Sequence, residues 1–250
     1  MKSKNKQMTK KTITYDDTIN PGDVIAVGDI HGRFDLLEKF LETVKDSGAT
    51  VIFLGDLIDR AIEPGDDLNV LKTVSALTQD PDSWGLQAVH ALRGNHEQLF
   101  LDAAKVGGWR SNLSLWIQNG GDYDSLSSMR EYVNWLLELS LYMTVGDTMF
   151  AHAGVYPGEN PARTITEGRT EELIWMRQPF LSQGPQFEKW TDKLNTIVFG
   201  HSPLKAPNPY EIPGGGICID SGAYWTGVLT SYNSTQKTLR QHHDDISFSK

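Results

Sequence analysis

The chain has 250 residues, 39 % hydrophobic and 22 % charged, the composition of a globular protein with room for one large α/β domain or two small ones. Its formal net charge of −9 argues against broad, sequence-independent nucleic-acid binding, which needs a basic face, and no nucleic-acid partner is expected. The single cysteine, Cys218, excludes an intramolecular disulfide, fits a reducing compartment and, in the apolar run Ile217-Cys218-Ile219, reads as a buried structural thiol in a cytoplasmic protein.

Residues 1–20 read as a disordered or extended tail, made basic by Lys2, Lys4, Lys6, Lys10 and Lys11 and lacking the apolar stretch of a signal peptide. Asn20-Pro21-Gly22 marks a turn, and a single domain is expected over 21–245. Val24–Ile30 predicts a strand. Phe34–Lys45 predicts a helix with Phe34, Leu37, Phe40, Leu41 and Val44 on one face. The apolar run from Val51 predicts a second strand, parallel to the first through a right-handed crossover. Pro64-Gly65-Asp66-Asp67 is a turn suited to cap a helix carrying Leu68, Leu71, Val74, Ala76 and Leu77.

Leu86–Leu92 predicts a third strand, and a helix begins near His96 and runs to Gly107-Gly108. Between Trp109 and Leu141 aromatic residues are interleaved with Asn, Ser and Gly. Helices are expected there over Leu113–Ile117 and Tyr132–Leu141, and 109–141 reads as a helical cap whose aromatics pack rather than touch ligand. The second half reads as strands over Thr148–Ala151, Thr196–Phe199, Gly216–Ile219, Val228–Tyr232 and Thr238–Gln241. Thr170–Arg177 predicts a helix, Pro179–Pro185 a loop, and Gly214-Gly215-Gly216 a hairpin or flexible link. No run of about 18 apolar residues occurs, so no membrane span is expected.

Five strand ends break into polar residues: Gly28-Asp29-Ile30-His31, Gly55-Asp56-Leu57-Ile58-Asp59-Arg60, Arg93-Gly94-Asn95-His96-Glu97, His152-Ala153-Gly154 and Gly200-His201. Buried strands that end in charge deliver it to the sheet's C-terminal edge. Oxygen donors Asp29, Asp56 and Asn95 mixed with the imidazoles of His31, His152 and His201 suit manganese, iron or zinc better than calcium or magnesium. Two ions sharing one carboxylate lie roughly 3.5–4 Å apart and hold a hydroxide that attacks phosphorus in line. Asp56 is the residue expected to be shared.

With Gly28-Asp29-Ile30-His31-Gly32, Gly55-Asp56-Leu57-Ile58-Asp59-Arg60, Leu92-Arg93-Gly94-Asn95-His96-Glu97, His152-Ala153-Gly154 and Gly200-His201-Ser202-Pro203 in this order, the chain resembles the PPP-type phosphoprotein phosphatases of the calcineurin-like metallophosphoesterase superfamily. The branch it resembles is the bacterial and phage one typified by the bacteriophage lambda protein phosphatase. The resemblance implies an α/β fold, a two-sheet β-sandwich flanked by helices. It implies one metal on Asp29, His31 and Asp56, and a second on Asp56, Asn95, His152 and His201, both divalent transition ions with manganese foremost. It further implies His96 as general acid oriented by Asp59, with Arg60, Arg93, Asn95 and Arg177 binding the substrate phosphate. Ala61 stands where the family has glycine, which bears on the turn presenting Arg60.

The implied reaction is hydrolysis of Ser/Thr phosphomonoesters on phosphoproteins, with phosphotyrosine as a further substrate. The alternatives are a symmetrical diadenosine tetraphosphate hydrolase, whose subfamily typically lacks the aspartate corresponding to Asp59 and has Asp where this chain has Glu97, and a catalytically inactive phosphopeptide-binding module. His90 reads as a strand residue near the site, His242 and His243 as exposed, Asp220 as a structural hydrogen-bonding residue and Glu97 as a helix-start residue positioning His96.

Overall fold

The central strands are buried on both faces, which is why they read as unbroken apolar runs. Side chains alternate along each. Ala26, Ile52, Phe150, Val198 and Ile217 point into one shared layer, while Ile25, Phe53, Met149, Ile197 and Phe199 point outward beneath helices. That alternation makes a sandwich. The computed structural model describes residues 14–15, 18–105, 110–159, 163, 166–187, 193–203 and 209–245. Most of the basic tail, and Trp109, lie outside the described residues.

The first sheet has the order β1 (Thr14–Tyr15), β11 (Thr238–His243), β10 (Val228–Asn233), β2 (Val24–Val27), β3 (Thr50–Phe53), β4 (Ala88–Ala91), with β2, β3 and β4 mutually parallel. The second has the order β5 (Tyr142–Val145), β6 (Thr148–Ala151), β7 (Thr196–Phe199), β9 (Gly216–Cys218), β8 (Tyr210–Ile212), with β6, β7 and β9 parallel. Helices α1 (Phe34–Val44), α2 (Asp66–Gln79) and α3 (Asn95–Ala104) cover the outer face of the first sheet, joined by α4 (Arg110–Gln118), α5 (Leu126–Met129) and α6 (Val133–Glu138). Helices α7 (Glu171–Trp175) and α8 (Phe180–Gln183) cover the second, and α9 (Ala223–Thr226) precedes β10. Among the described residues no helix is long and apolar enough to cross a membrane.

Several expectations need correction. The helix expected to Leu141 stops at Glu138, because Leu139 turns extended and Ser140 bridges to Leu92. The chain then forms β5, which pairs with β6 across Gly146-Asp147; the strand was not expected, although that short turn signals it. Pro179–Pro185 is not a plain loop, since one helical turn buries Phe180 against Phe199. The α2 cap is Gly65 in a left-handed conformation, with no side-chain cap bond. β11 runs two residues past Gln241, so alternation carries His242 inward, where its ring meets Phe40 edge-on and hydrogen-bonds Ser231. His243 is exposed, as is His90 on edge strand β4. The triple glycine closes the β8–β9 hairpin.

Candidate active site

Parallel strands point their C-terminal ends the same way, so β2, β3, β4, β6 and β7 deliver their polar ends to one edge of the sandwich. There lies a cleft of about 230 Å³ lined by Asp29, His31, Asp56, Asn95, His96 and His201, with Arg60 and Arg177 at its sides. Among the described residues seven non-glycine positions have positive φ, and five of them are His31, Asp56, Asp59, Arg60 and His201. Each such backbone costs about 1–3 kcal/mol and persists only where its surroundings hold it. The holding groups are visible. His31 and Ile30 donate their N–H groups to Asp56 O, and the Arg60 N–H donates to Gly120 O at 2.9 Å. Glu97, fully buried, accepts from the N–H groups of Asp56, Leu57 and Gly94 at 2.8–2.9 Å, tying β3's end to the start of α3. Ala61 itself keeps an ordinary φ. Its Cβ crowds Gly32, where a methyl group would approach to 2.6 Å, so the glycine needed for this turn sits across from it.

The lone pairs here face each other. His152 Nδ1 lies 3.1 Å from Leu54 O, which only accepts, so Nδ1 carries the proton and Nε2 the lone pair. That Nε2 lies 3.0 Å from Asn95 Oδ1 and 3.3 Å from Asp56 Oδ1, both acceptors in this arrangement. His31 is set the same way, with Nδ1 on Ile58 O at 3.0 Å and Nε2 at 3.5 Å from Asp56 Oδ2. His201 Nε2 is buried without any hydrogen-bond partner. Burial pushes His152 down to about 3, His201 down to about 2 and His31 well below the usual range, so all three stay neutral. Burial also holds Asp29 well above, and Asp56 above, the ordinary carboxylate value. A cavity of unshared lone pairs is unstable until a cation sits among them, and carbonyl bonds at Nδ1 are the usual device for aiming a histidine at a metal. The donor set therefore fits divalent metal ions. Asp56 faces both groups: Asp56, His152 and His201 bring ligand atoms within 4.8 Å of one another, as do His31, Asp56 and His96. Asp29 lines the same cleft, but both of its oxygens accept from the His201 N–H at 3.0–3.2 Å.

His96 Nδ1 meets Asp59 Oδ2 at 2.7 Å, and the other oxygen of Asp59 accepts from Trp116 Nε1 at 2.8 Å. Burial raises Asp59 well above the carboxylate range and lowers His96, so the pair shares its proton away from water. Trp116, fully buried on α4, packs on Phe100 as expected of this aromatic segment, yet it also fixes Asp59. The sequence carries no signal for that contact across 57 residues. Arg60 donates to His31 Nε2 at 2.7 Å and to His96 Nε2 at 2.9 Å, with Tyr224 4.8 Å behind its guanidinium. Arg177 donates to His201 O at 2.9 Å. Arg93 is not among the cleft-lining residues: its guanidinium is held by Leu137 O, Leu139 O and Gln98. Asp220, pushed up to about 7 by burial, accepts from Gly222 N–H and lines the cleft beside Asp29. Trp175 and Tyr224, not singled out from the sequence, form its aromatic sides.

A Salmonella typhimurium serine/threonine-protein phosphatase 1 is 28 % identical over 224 residues, 83 % of this chain and 89 % of the relative. A symmetrical bis(5′-nucleosyl)-tetraphosphatase of Janthinobacterium is 26 % identical over 180 residues, 71 % of this chain and 56 % of that protein. A Saccharomyces cerevisiae protein serine/threonine phosphatase structure superposes with a TM-score of 0.62 at 15 % identity, covering 94 % of this chain and 86 % of that one, a likeness of fold. The sequence profile described as Calcineurin-like phosphoesterase matches residues 22–238, and with the strand-end cleft just described the chain belongs to that family.

Proposed function

We propose that the protein is a dinuclear phosphomonoesterase acting on phosphoproteins, at Ser/Thr and also at Tyr, in the cytoplasm. The observation that carries the reading is the Trp116–Asp59–His96 hydrogen-bond chain ending beside Asp56. An alkoxide leaving from a phosphoserine needs a proton, and His96 Nε2 is the ring atom left facing the cleft once Nδ1 is bound to Asp59. Asp29, His31 and Asp56 would hold one divalent ion, and Asp56, Asn95, His152 and His201 the other, with manganese foremost. The chemistry supplied by such ions is polarisation of a phosphoryl oxygen and acidification of water to near neutrality. Arg60 now occupies the lone pairs of both His31 and His96. For either imidazole to act, the guanidinium must transfer to another acceptor, and a phosphoryl group offers it two oxygens. Arg177 would bind phosphate from the opposite side, and Asn95 would bind it beside its metal. Arg93 would have to exchange its carbonyl partners to join them.

A second reading, symmetrical dinucleoside tetraphosphatase, is supported by the Janthinobacterium relative and by Trp175, an aromatic ring lining the cleft on which a base could stack. The test compares phosphoserine, phosphothreonine and phosphotyrosine peptides with diadenosine tetraphosphate on manganese-loaded protein. The proposal expects the peptides to be turned over at least tenfold faster. Faster cleavage of the dinucleotide would replace it with the second reading, and unchanged activity after stripping all metal would remove both.

A further inference from the structure

A second cavity, of about 320 Å³, lies behind one wall of the cleft. Arg60 and Asn119 line the cleft, and their neighbours Ala61 and Gly120 line this cavity. The wall between is held by the Arg60 N–H to Gly120 O bond of 2.9 Å. The polar lining is acidic, with Glu63, Asp67, Asp122, Asp124 and Ser125 and no lysine, arginine or histidine among the described lining residues. Glu63, Asp122 and Asp124 are exposed at its mouth. Asp67 lines the cavity but is only 2 % exposed, and its Oδ1, close to Gly32, has no hydrogen-bond partner. Its carboxylate accepts from the backbone N–H of Asp59, and burial, reinforced by the charges of Asp59, Asp122 and Asp66, pushes it up to about 8.

Gathering carboxylates with no base costs Coulomb repulsion, and one buried unpaired oxygen adds its own desolvation penalty. A cationic occupant would relieve both. Among the described residues the groups compact enough to grip a bare metal ion are the two in the cleft, and neither includes these carboxylates. The cavity is far larger than an ion and suits a planar or ammonium head with several N–H donors to share out. Because consecutive residues, Arg60 with Ala61 and Asn119 with Gly120, line the two cavities, a chain whose phosphate sits in the cleft needs two or three residues, at about 3.3–3.6 Å each, to reach the second.

We propose that this cavity takes the arginine or lysine side chain of a phosphopeptide, two or three residues from the phosphorylated position. The inference rests on the phosphoprotein reading above and adds a sequence preference to it. A cation seated there lies against the carboxylate that supports the Asp59 turn, so the same contact steadies the residue that orients His96.

The test uses manganese-loaded protein and a set of phosphoserine peptides with a single arginine moved from three residues before to three residues after the phosphate, against an all-alanine control. One position should lower KM about tenfold with kcat little changed. The double variant Glu63→Gln/Asp124→Asn should abolish that advantage and leave p-nitrophenyl phosphate turnover as it was. Equal KM across the set, or an advantage that survives in the double variant, would overturn the proposal while leaving the phosphatase reading standing. Calcium binding that is lost in the double variant, with no peptide preference, would overturn it by assigning the cavity to a metal ion. Turnover of p-nitrophenyl phosphate without any phosphopeptide hydrolysis would overturn both readings.

Discussion

The cleft on one side of the Arg60–Ala61 wall and the cavity on the other are built from adjacent residues, yet their charge is handled differently. In the cleft the carboxylates stand among imidazoles, and Arg60 and Arg177 lie at its sides. Its unpaired atoms are the Nε2 lone pairs of His152, which faces the acceptors of Asp56 and Asn95, and of His201. Beyond the wall the carboxylates have no base, and the unpaired atom is a carboxylate oxygen. The first arrangement calls for small divalent ions held at fixed points. The second calls for a diffuse, replaceable cation. The difference teaches that missing partners carry as much chemical information as present ones.

The comparison breaks most completely at Asp56, whose two oxygens face both imidazole groups. Asp56→Asn is expected to lower kcat/KM about a thousandfold, roughly 4 kcal/mol. Metal content measured after dialysis should fall with it, and retention of a full complement would show that the carboxylate is not shared. His96→Asn comes next. Hydrolysis of phosphoserine should slow by about 10²–10⁴, while p-nitrophenyl phosphate, whose leaving group needs little protonation, should lose under about tenfold by the same reasoning. Equal losses would remove His96 from the acid role.

Trp116→Phe keeps the packing on Phe100 and deletes the donor to Asp59 Oδ1. It should cost about 1–3 kcal/mol in a urea titration, the penalty for an unsatisfied buried acceptor, and should slow alkyl substrates more than aryl ones. The smallest effect separates the two cavities by pH. Glu97 beneath the cleft and Asp67 in the acidic cavity are each pushed up to about 8, chiefly by burial. Raised carboxylates stabilise the fold fully below their unfolded values near 4 and lose that contribution as pH rises through the folded value. Above about 7.5 the depressed histidines are almost wholly neutral in both states and nearly silent. Metal-free protein should therefore lose about 1–2 kcal/mol between pH 7.5 and 9. Manganese should reduce the part due to Glu97 by the share that the Asp56 charge contributes, and leave that of Asp67 unchanged. A flat profile without metal would contradict both assignments.

Much of the fold was legible because period-2 alternation and helical stripes are local. α1, β2, β3 and β6 fall where their patterns place them. β5 escaped notice because Tyr142–Val145 stays partly exposed and gains its identity from pairing with β6. α8 escaped because proline and glycine mark its ends while the burial of Phe180 decides its turn. At the cleft, Asp29, His31, Asp56, Asn95, His96 and His201 could be named because each follows a strand end with a motif, and Arg177, after a helix, only because the segment Leu173-Ile174-Trp175-Met176-Arg177 resembles one of the family. Trp116, Trp175 and Tyr224 could not, since a lone aromatic carries no direction in one dimension.

Which residue types end the strands, and therefore which chemistry the chain can assemble, can be read from the order of residues alone. Only the tertiary structure decided that His152 Nε2 confronts Asp56 and Asn95, that Trp116 reaches Asp59, and that Asp67 closes an acidic cavity. The reason is physical. A local pattern fixes which way a side chain leaves its own strand or helix, whereas the spacing between atoms far apart in the chain is set by how two sheets and their helices pack.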